Sequence, residues 1–138
     1  MSDASLPTLL DRFVRRMHVA LRDKAADFDS ERVGPIGGMI LLTMAELGCV
    51  PMQDLTARFG RDKSQMTRAL QSLERKGLVQ RVKSKEDMRV TFVFLTPHGE
   101  AFVTTLRNVI DATINEILAP ISDEERQVLK NILQRVSL

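Results

Sequence analysis

Apolar side chains recur at three- and four-residue steps from Leu6 through Leu10, Phe13, Val14, Met17 and Leu21 to Phe28, the period of one face of a long helix. Gly34-Pro35 interrupts it. Ile36, Met39, Ile40, Leu42, Met44 and Leu47 then predict a second helix near 36–47 that stops at Gly48. Pro51 suits the first turn of a short third helix, with Leu55 and Phe59 inward and Gly60 as its stop. Asp62 is placed to cap a fourth helix, with Gln65 three residues on as in a capping box, and Gly77 ends it. The pattern then changes. Leu78–Lys83 and Arg89–Leu95 are short and β-rich around the polar tip Ser84-Lys85-Glu86-Asp87, which predicts a hairpin. Thr96-Pro97 opens a fifth helix carrying Phe102, Val103, Leu106, Val109, Ile110, Ile114, Ile117 and Leu118. After Pro120, Ser122-Asp123-Glu124-Glu125 is a capping box for a last helix bearing Val128, Leu129, Ile132, Leu133 and Val136. The fold class predicted is mainly α, about six helices, with a small β-hairpin.

The third and fourth helices, joined at Phe59-Gly60-Arg61-Asp62, form a candidate helix-turn-helix, because the turn is short and contains glycine. At roughly 100° per residue, Leu70 and Leu73 fall within about 40° of Met66 and Ala69 within about 60°, which defines a core face. Arg61, Ser64, Arg68, Gln71, Ser72 and Arg75 gather at the opposite pole, with no carboxylate and no large apolar residue among them. Arginine bonds guanine or phosphate, glutamine pairs with adenine, and serine serves either. A basic hairpin follows at once, with Arg81, Lys83, Lys85 and Arg89, so the unit reads as a winged helix whose ribbon reaches phosphate or the minor groove.

Charge sharpens this reading. Residues 58–89 hold ten basic and four acidic side chains, net +6, whereas the rest of the 138-residue chain nets −4. A basic centre within acidic flanks fits a surface that meets a polyanion; a charge run alone would more simply be a solvated face. The length fits one domain, or one domain with an extension, able to bury a core unaided. One cysteine excludes an internal disulfide framework and a cysteine-based zinc site. No apolar run is long enough to span a bilayer and no secretory signal is visible, so a cytoplasmic protein with no membrane partner is expected.

Residues 52–99 resemble the MarR family of bacterial transcriptional regulators. The carrying residues are Asp54-Leu55, Arg58-Phe59-Gly60, Asp62-Lys63-Ser64-Gln65-Met66-Thr67-Arg68, Leu73-Glu74-Arg75-Lys76-Gly77-Leu78-Val79, Asp87-Met88-Arg89 and Leu95-Thr96-Pro97-His98-Gly99, in order and in register. The resemblance implies a DNA-binding homodimer, with a dimerisation helix in residues 1–32, a winged helix-turn-helix in 33–97 and further dimerisation helices in 98–138. It implies a pseudo-palindromic double-stranded DNA operator. Recognition helix 62–76 would read it through Arg61, Lys63, Ser64, Gln65, Thr67, Arg68, Gln71 and Arg75. Wing 80–92 would add Arg81, Lys83, Lys85, Asp87 and Arg89. Repression, with release by a small aromatic or phenolic effector, is the function expected. The apolar surface of helices one, five and six serves either a single-chain core or a shared interface. For the set Leu6, Leu10, Phe13, Ile110, Ile114, Ile117, Leu129, Ile132, Leu133 and Val136 the interface is expected, since two-fold symmetry matches a palindrome.

Where family members often carry glutamine and an aromatic near the second helix, this chain has Gly34-Pro35-Ile36-Gly37-Gly38-Met39, whose two glycines either loosen the helix start or allow close packing. The family's effector pocket tends to lie near this junction. Met17, His18, Met39 and Met44 are its candidate lining here, and core filling is the plainer role for the methionines. Cys49 is a small packing residue or a redox thiol, and its position favours packing. His98 is expected to be simply exposed. Two histidines 80 residues apart make no metal site, no cofactor motif is present, and no nucleophile elbow surrounds any serine, so an enzyme is not expected. A winged helix used for protein interaction or assembly is the alternative function; the donor-only face of the fourth helix argues against it.

Overall fold

A computed structural model describes residues 3–137. In chain order the elements are α1 (Leu6–Phe28), α2 (Gly34–Leu47), β1 (Val50–Pro51), α3 (Met52–Phe59), α4 (Lys63–Arg75), β2 (Val79–Lys83), β3 (Thr91–Leu95), α5 (Pro97–Ile117) and α6 (Asp123–Val136). Six helices thus accompany a small antiparallel sheet of order β1-β3-β2. The expected hairpin is β2–β3, in register from Val79 opposite Leu95 to Lys83 opposite Thr91.

The third strand corrects the sequence reading. Val50 and Pro51 pair with Val93 and Phe92, and Pro51 is the extended N-cap of α3 rather than part of its first turn. A proline without N–H is tolerated there because β1 is an edge strand. Gly34-Pro35 likewise opens α2 instead of interrupting before it. The Asp29 carboxylate accepts from the Val33 and Gly34 amides at 2.8 and 2.9 Å, satisfying donors that a helix start leaves orphaned.

The chain divides into two compact units. Residues 25–107 form one; among the described residues, 3–24 and 108–137 form the other. In the first, Ile40, Leu41 and Met44 of α2, Leu55 of α3, Met66, Leu70 and Leu73 of α4, Leu78, Val79 and Val93 around the sheet, and Val103 of α5 build a continuous core. The face of α4 expected to be buried is the buried face. Gly37 and Gly38 are buried and serve close packing: a β-carbon would meet Val33 and Leu73 at the former and Leu106 at the latter.

One turn sets the exit from α4. The amides of Gly77 and Leu78 donate to the carbonyls of Glu74 and Leu73, each at 3.0 Å, with Gly77 left-handed at φ 74°. This is a Schellman closure, and Leu78 completes it by burying beside Leu73. The start of α5 is fastened to the same turn. The Thr96 amide donates to the Leu78 carbonyl at 3.1 Å, the Thr96 hydroxyl donates to the Gly77 carbonyl, and the Gly99 amide donates to the Thr96 hydroxyl at 3.0 Å. The last bond makes Thr96 the N-cap of α5. A β-carbon on Gly99 would lie 2.1 Å from the Leu78 carbonyl oxygen, so the Leu-Thr-x-x-Gly motif is a packing requirement.

In the second unit α1 and α6 bury no residue completely. Thr113 of α5 is buried, donates to the Val109 carbonyl at 2.7 Å and accepts from Lys24 Nζ of α1 at 2.8 Å. Arg126 Nη1 of α6 reaches Asn115 Oδ1 of α5 at 2.8 Å. The capping box at Ser122 forms in both directions. No helix among the described residues is long and apolar enough to cross a membrane.

Gly99→Ala should destabilise the fold by about 1–3 kcal/mol, because the obstructing atom is backbone that cannot swing aside. Thermal unfolding checks this; an unshifted midpoint would show that the turn yields.

Candidate nucleic-acid interface

The start of α4 is set by Asp62, whose carboxylate accepts from the Gln65 amide at 2.7 Å. With Met66, Leu70 and Leu73 anchored in the core, the opposite face must point outward. Lys63, Ser64, Gln65, Arg68 and Arg75 are exposed; Arg61, Thr67, Gln71 and Ser72 are half-buried. The Thr67 hydroxyl donates to the Lys63 carbonyl at 2.7 Å and so retains only acceptor capacity.

The wing tip is a side-chain-stabilised turn. The Ser84 hydroxyl accepts from the amides of Glu86 and Asp87. The Ser84 amide donates to the Val90 carbonyl at 2.8 Å, and the Val90 amide donates to the Asp87 carbonyl at 2.9 Å. Asp87 and Arg89 are organised together. Asp87 Oδ1 accepts from the Arg89 amide at 3.0 Å and from Arg89 Nε at 3.1 Å, and Oδ2 accepts from Nη2 at 3.3 Å. The Arg89 side chain is nonetheless 91% exposed. Its side-chain bonds hold the Asp87 carboxyl below the usual carboxylate range. Asp87, expected among the wing contacts, therefore serves as the holder of Arg89, since an anion has no attractive contact to make with phosphate. Lys83 and Lys85 are exposed, and neither forms an ion pair among the described residues.

Arg81, expected among the wing contacts, is engaged within the fold. Its Nε donates to Glu74 Oε2 at 3.1 Å and its Nη2 to Glu74 Oε1 at 2.9 Å, joining β2 to α4. Hydrogen bonding to Arg81 lowers the Glu74 pKa, and the same bonds raise that of Arg81. Glu74 went unread as a functional residue. The signal was available: it is the lone carboxylate within Lys63–Arg75.

An open cavity of about 700 Å³ lies between α3, the start of α4 and the wing. Arg61, Lys63, Arg81 and Arg89 line it together with Met52, Thr56 and Thr91. Two apolar wing residues are also outward, Val82 at 50% and Met88 at 64% exposure.

The remaining candidates are placed as follows. Met44 is buried in the core of the first unit, as core filling requires. Met39 and His18 are exposed and Met17 is half-buried. Cys49 is exposed, which corrects the packing expectation: the chain turns outward at Gly48 after α2 and returns only at Val50. His98 is not simply exposed, for its Nε2 meets the Glu31 carboxylate. Among the interface set, Leu6, Leu10, Ile132, Leu133 and Val136 are exposed, and Phe13, Ile110, Ile114 and Leu129 are half-buried. Ile117 is buried within the single chain and leaves the set.

A model described as the MarR family matches residues 38–91 of this chain. The chain is 34% identical over 87 residues to the uncharacterized HTH-type transcriptional regulator YdgJ of Bacillus subtilis, a match covering 63% of this chain and about half, 53%, of that protein. Its fold superposes on the crystal structure of a mutant MarR from E. coli with a TM-score of 0.82, at 20% identity, over 99% of this chain and 98% of that one. It also matches the PcaV transcriptional regulator from Streptomyces coelicolor, solved in complex with its natural ligand, with a TM-score of 0.67 at 25% identity over 99% and 97% of the two chains. The matched segment contains α3, α4 and the cationic wing tip, and along the whole chain the fold is that of these MarR structures.

Proposed function

We propose that this protein is a homodimeric transcriptional regulator, a repressor that grips a pseudo-palindromic duplex through α4 and the wing. The carrying observation is the face of α4 on which Ser64, Arg68 and Arg75 stand exposed beside Gln71, opposite a fully buried apolar face. Such a rod matches the width and donor–acceptor pattern of the major groove. Arg68 is the residue assigned to a base edge, Gln71 an adenine reader, and Arg61, Lys63 and Arg75 phosphate contacts. Arg89, held out by Asp87, suits the flanking minor groove, where negative potential draws arginine. Lys83 and Lys85 add backbone contacts.

Dimerisation is supported by apolar surface that one chain leaves in water. On α1, Leu6, Leu9, Leu10 and Val14 are exposed, and on α6, Val128, Ile132, Leu133 and Val136, with Leu6 at 69% and Val136 at 71%. Contiguous patches of that kind mark interaction surfaces. A two-fold dimer duplicates α4, so half-sites would stand about one helical turn apart. Residence in the cytoplasm, the site of the DNA, follows from the role, and no catalytic step is needed for it.

The finer reading is release by a small aromatic effector. PcaV, a regulator of the same fold, was solved with a natural ligand. An effector acts here by preferring a conformer in which the two copies of α4 no longer match successive grooves.

The test begins with in-vitro selection of duplexes bound by the wild-type chain, followed by affinities on the selected site. Arg68→Ala should cost about 1–3 kcal/mol and relax base preference at one position of each half-site. Arg89→Ala should weaken all sequences alike and reduce the salt slope by about one. Both variants binding as wild type would overturn this reading. Leu133→Glu should convert a particle of twice 15.6 kDa into one of single-chain mass in light scattering, with specific binding lost. A dimer that survives this change would relocate the interface.

A further inference from the structure

A positive surface built to meet a polyanion has one carboxylate on its helix, and that carboxylate is engaged. Glu74 stands in the last turn of α4, at the helix end where a negative side chain is least favoured. On the wheel it lies between the buried face and the outward pole, on the side of Lys63 and Thr67. Arg81 stands three residues into β2, opposite Val93 of β3. Their fork-to-fork contact spans the Gly77 turn. β2 is an edge strand whose sole sheet neighbour is β3.

We propose that Glu74 and Arg81 are a positioning pair that fixes the angle between recognition helix and wing, so that Arg89 meets the duplex in register with α4. The inference rests on the reading of α4 and the wing as the DNA-binding surface. It reassigns Arg81 from phosphate contact to holder and gives Glu74 a role that charge alone would deny it. Two parallel hydrogen bonds between planar groups resist both sliding and twisting, which one bond to a lysine would not. The Schellman turn fixes how the chain leaves α4; the pair, which engages β2 at Arg81 beyond Gly77, fixes where the ribbon goes afterward. With only β3 beside it, the distal part of β2 carrying Lys83 has no other tie to α4 among the described hydrogen bonds.

Glu74→Gln makes the two accounts disagree in sign. Removing a negative charge beside DNA should strengthen binding if the surface acts through net charge alone. If the pair positions the wing, the same change weakens binding by about tenfold on the duplex selected by the wild-type chain. A double-mutant cycle with Arg89→Ala supplies the readout that a merely structural role would leave unmoved. Once the wing is misplaced, Arg89→Ala should cost far less than in the wild type, and hydroxyl-radical protection should fade at the wing-side flanks while persisting in the half-site centres. The penalty should be level between about pH 6 and 8: the carboxyl pKa is lowered, so the pair is fully ionised above the ordinary carboxylate range and lost only as pH falls through the lowered value. Arg81→Lys, which keeps the charge and most of the stem, provides the second variant should Glu74→Gln unfold at the assay temperature. It too should weaken binding and lose coupling to Arg89. Unchanged or tighter binding by a folded Glu74→Gln, or full additivity with Arg89→Ala, would overturn the pair while leaving the DNA-binding reading intact. A wild-type chain that binds no duplex would overturn both.

Discussion

Everything presented to solvent by the first unit hangs on the turn at Lys76–Leu78. The left-handed Gly77 lets the chain reverse from α4 into β2 within three residues, and Leu78 enters the core at the same step. Its carbonyl then receives Thr96, and Gly99 packs against it. A helix, a ribbon and the start of α5 are thereby referred to one residue, Leu78. This is a constraint of backbone geometry: a bulkier residue at Gly99 has no space, and a β-branched one at Gly77 has no comfortable backbone conformation. The turn thus fixes how the chain leaves α4, behind the outward residues of the helix and the wing.

Electrostatics pulls the other way. Ten cations within residues 58–89 repel one another, and the wing has the least core to resist them. Three of the four acids in that stretch are placed where they restrain without neutralising the outer surface. Asp62 caps α4, Glu74 ties it to β2, and Asp87 orients Arg89. Exposed pairs contribute little to stability on average, so the value of Asp87 lies in direction rather than in energy. It leaves the guanidinium in water and aimed. Net charge alone therefore leaves out what these three acids hold in place.

Much of this was legible from periodicity and capping chemistry. The bounds of α1, the buried face of α4, the β2–β3 pairing and the reciprocal box at Ser122 all follow from local rules that leave marks in sequence. What escaped reading was non-local. The two-residue β1 has no alternation to display, and its existence depends on β3, far later in the chain. The Arg81–Glu74 contact looks in sequence like one more cation and one more helical acid. Met44 and Met39 are one chemical type on the same helix α2, yet one lies in the core and the other in solvent. Cys49 read as packing from its position after Gly48; its exposure follows from where the α2–β1 connection runs.

The second unit poses the inverse problem. Its helices α1 and α6 have clear apolar periodicity, which in the first unit means burial, yet no residue of either is fully buried in the single chain. Lys24, Thr113 and Glu116 tie α1 to α5 by polar contacts, and Arg126 ties α6 to α5 in the same manner. Polar ties of this kind fix geometry without hiding hydrocarbon, and apolar side chains at this density are unfavourable in water. A sequence that keeps the periodicity of a core while the chain supplies no core is specifying a surface to be covered. In the proposed function a second copy is that occupant: it brings a second α4, and the proposed duplex has two like half-sites.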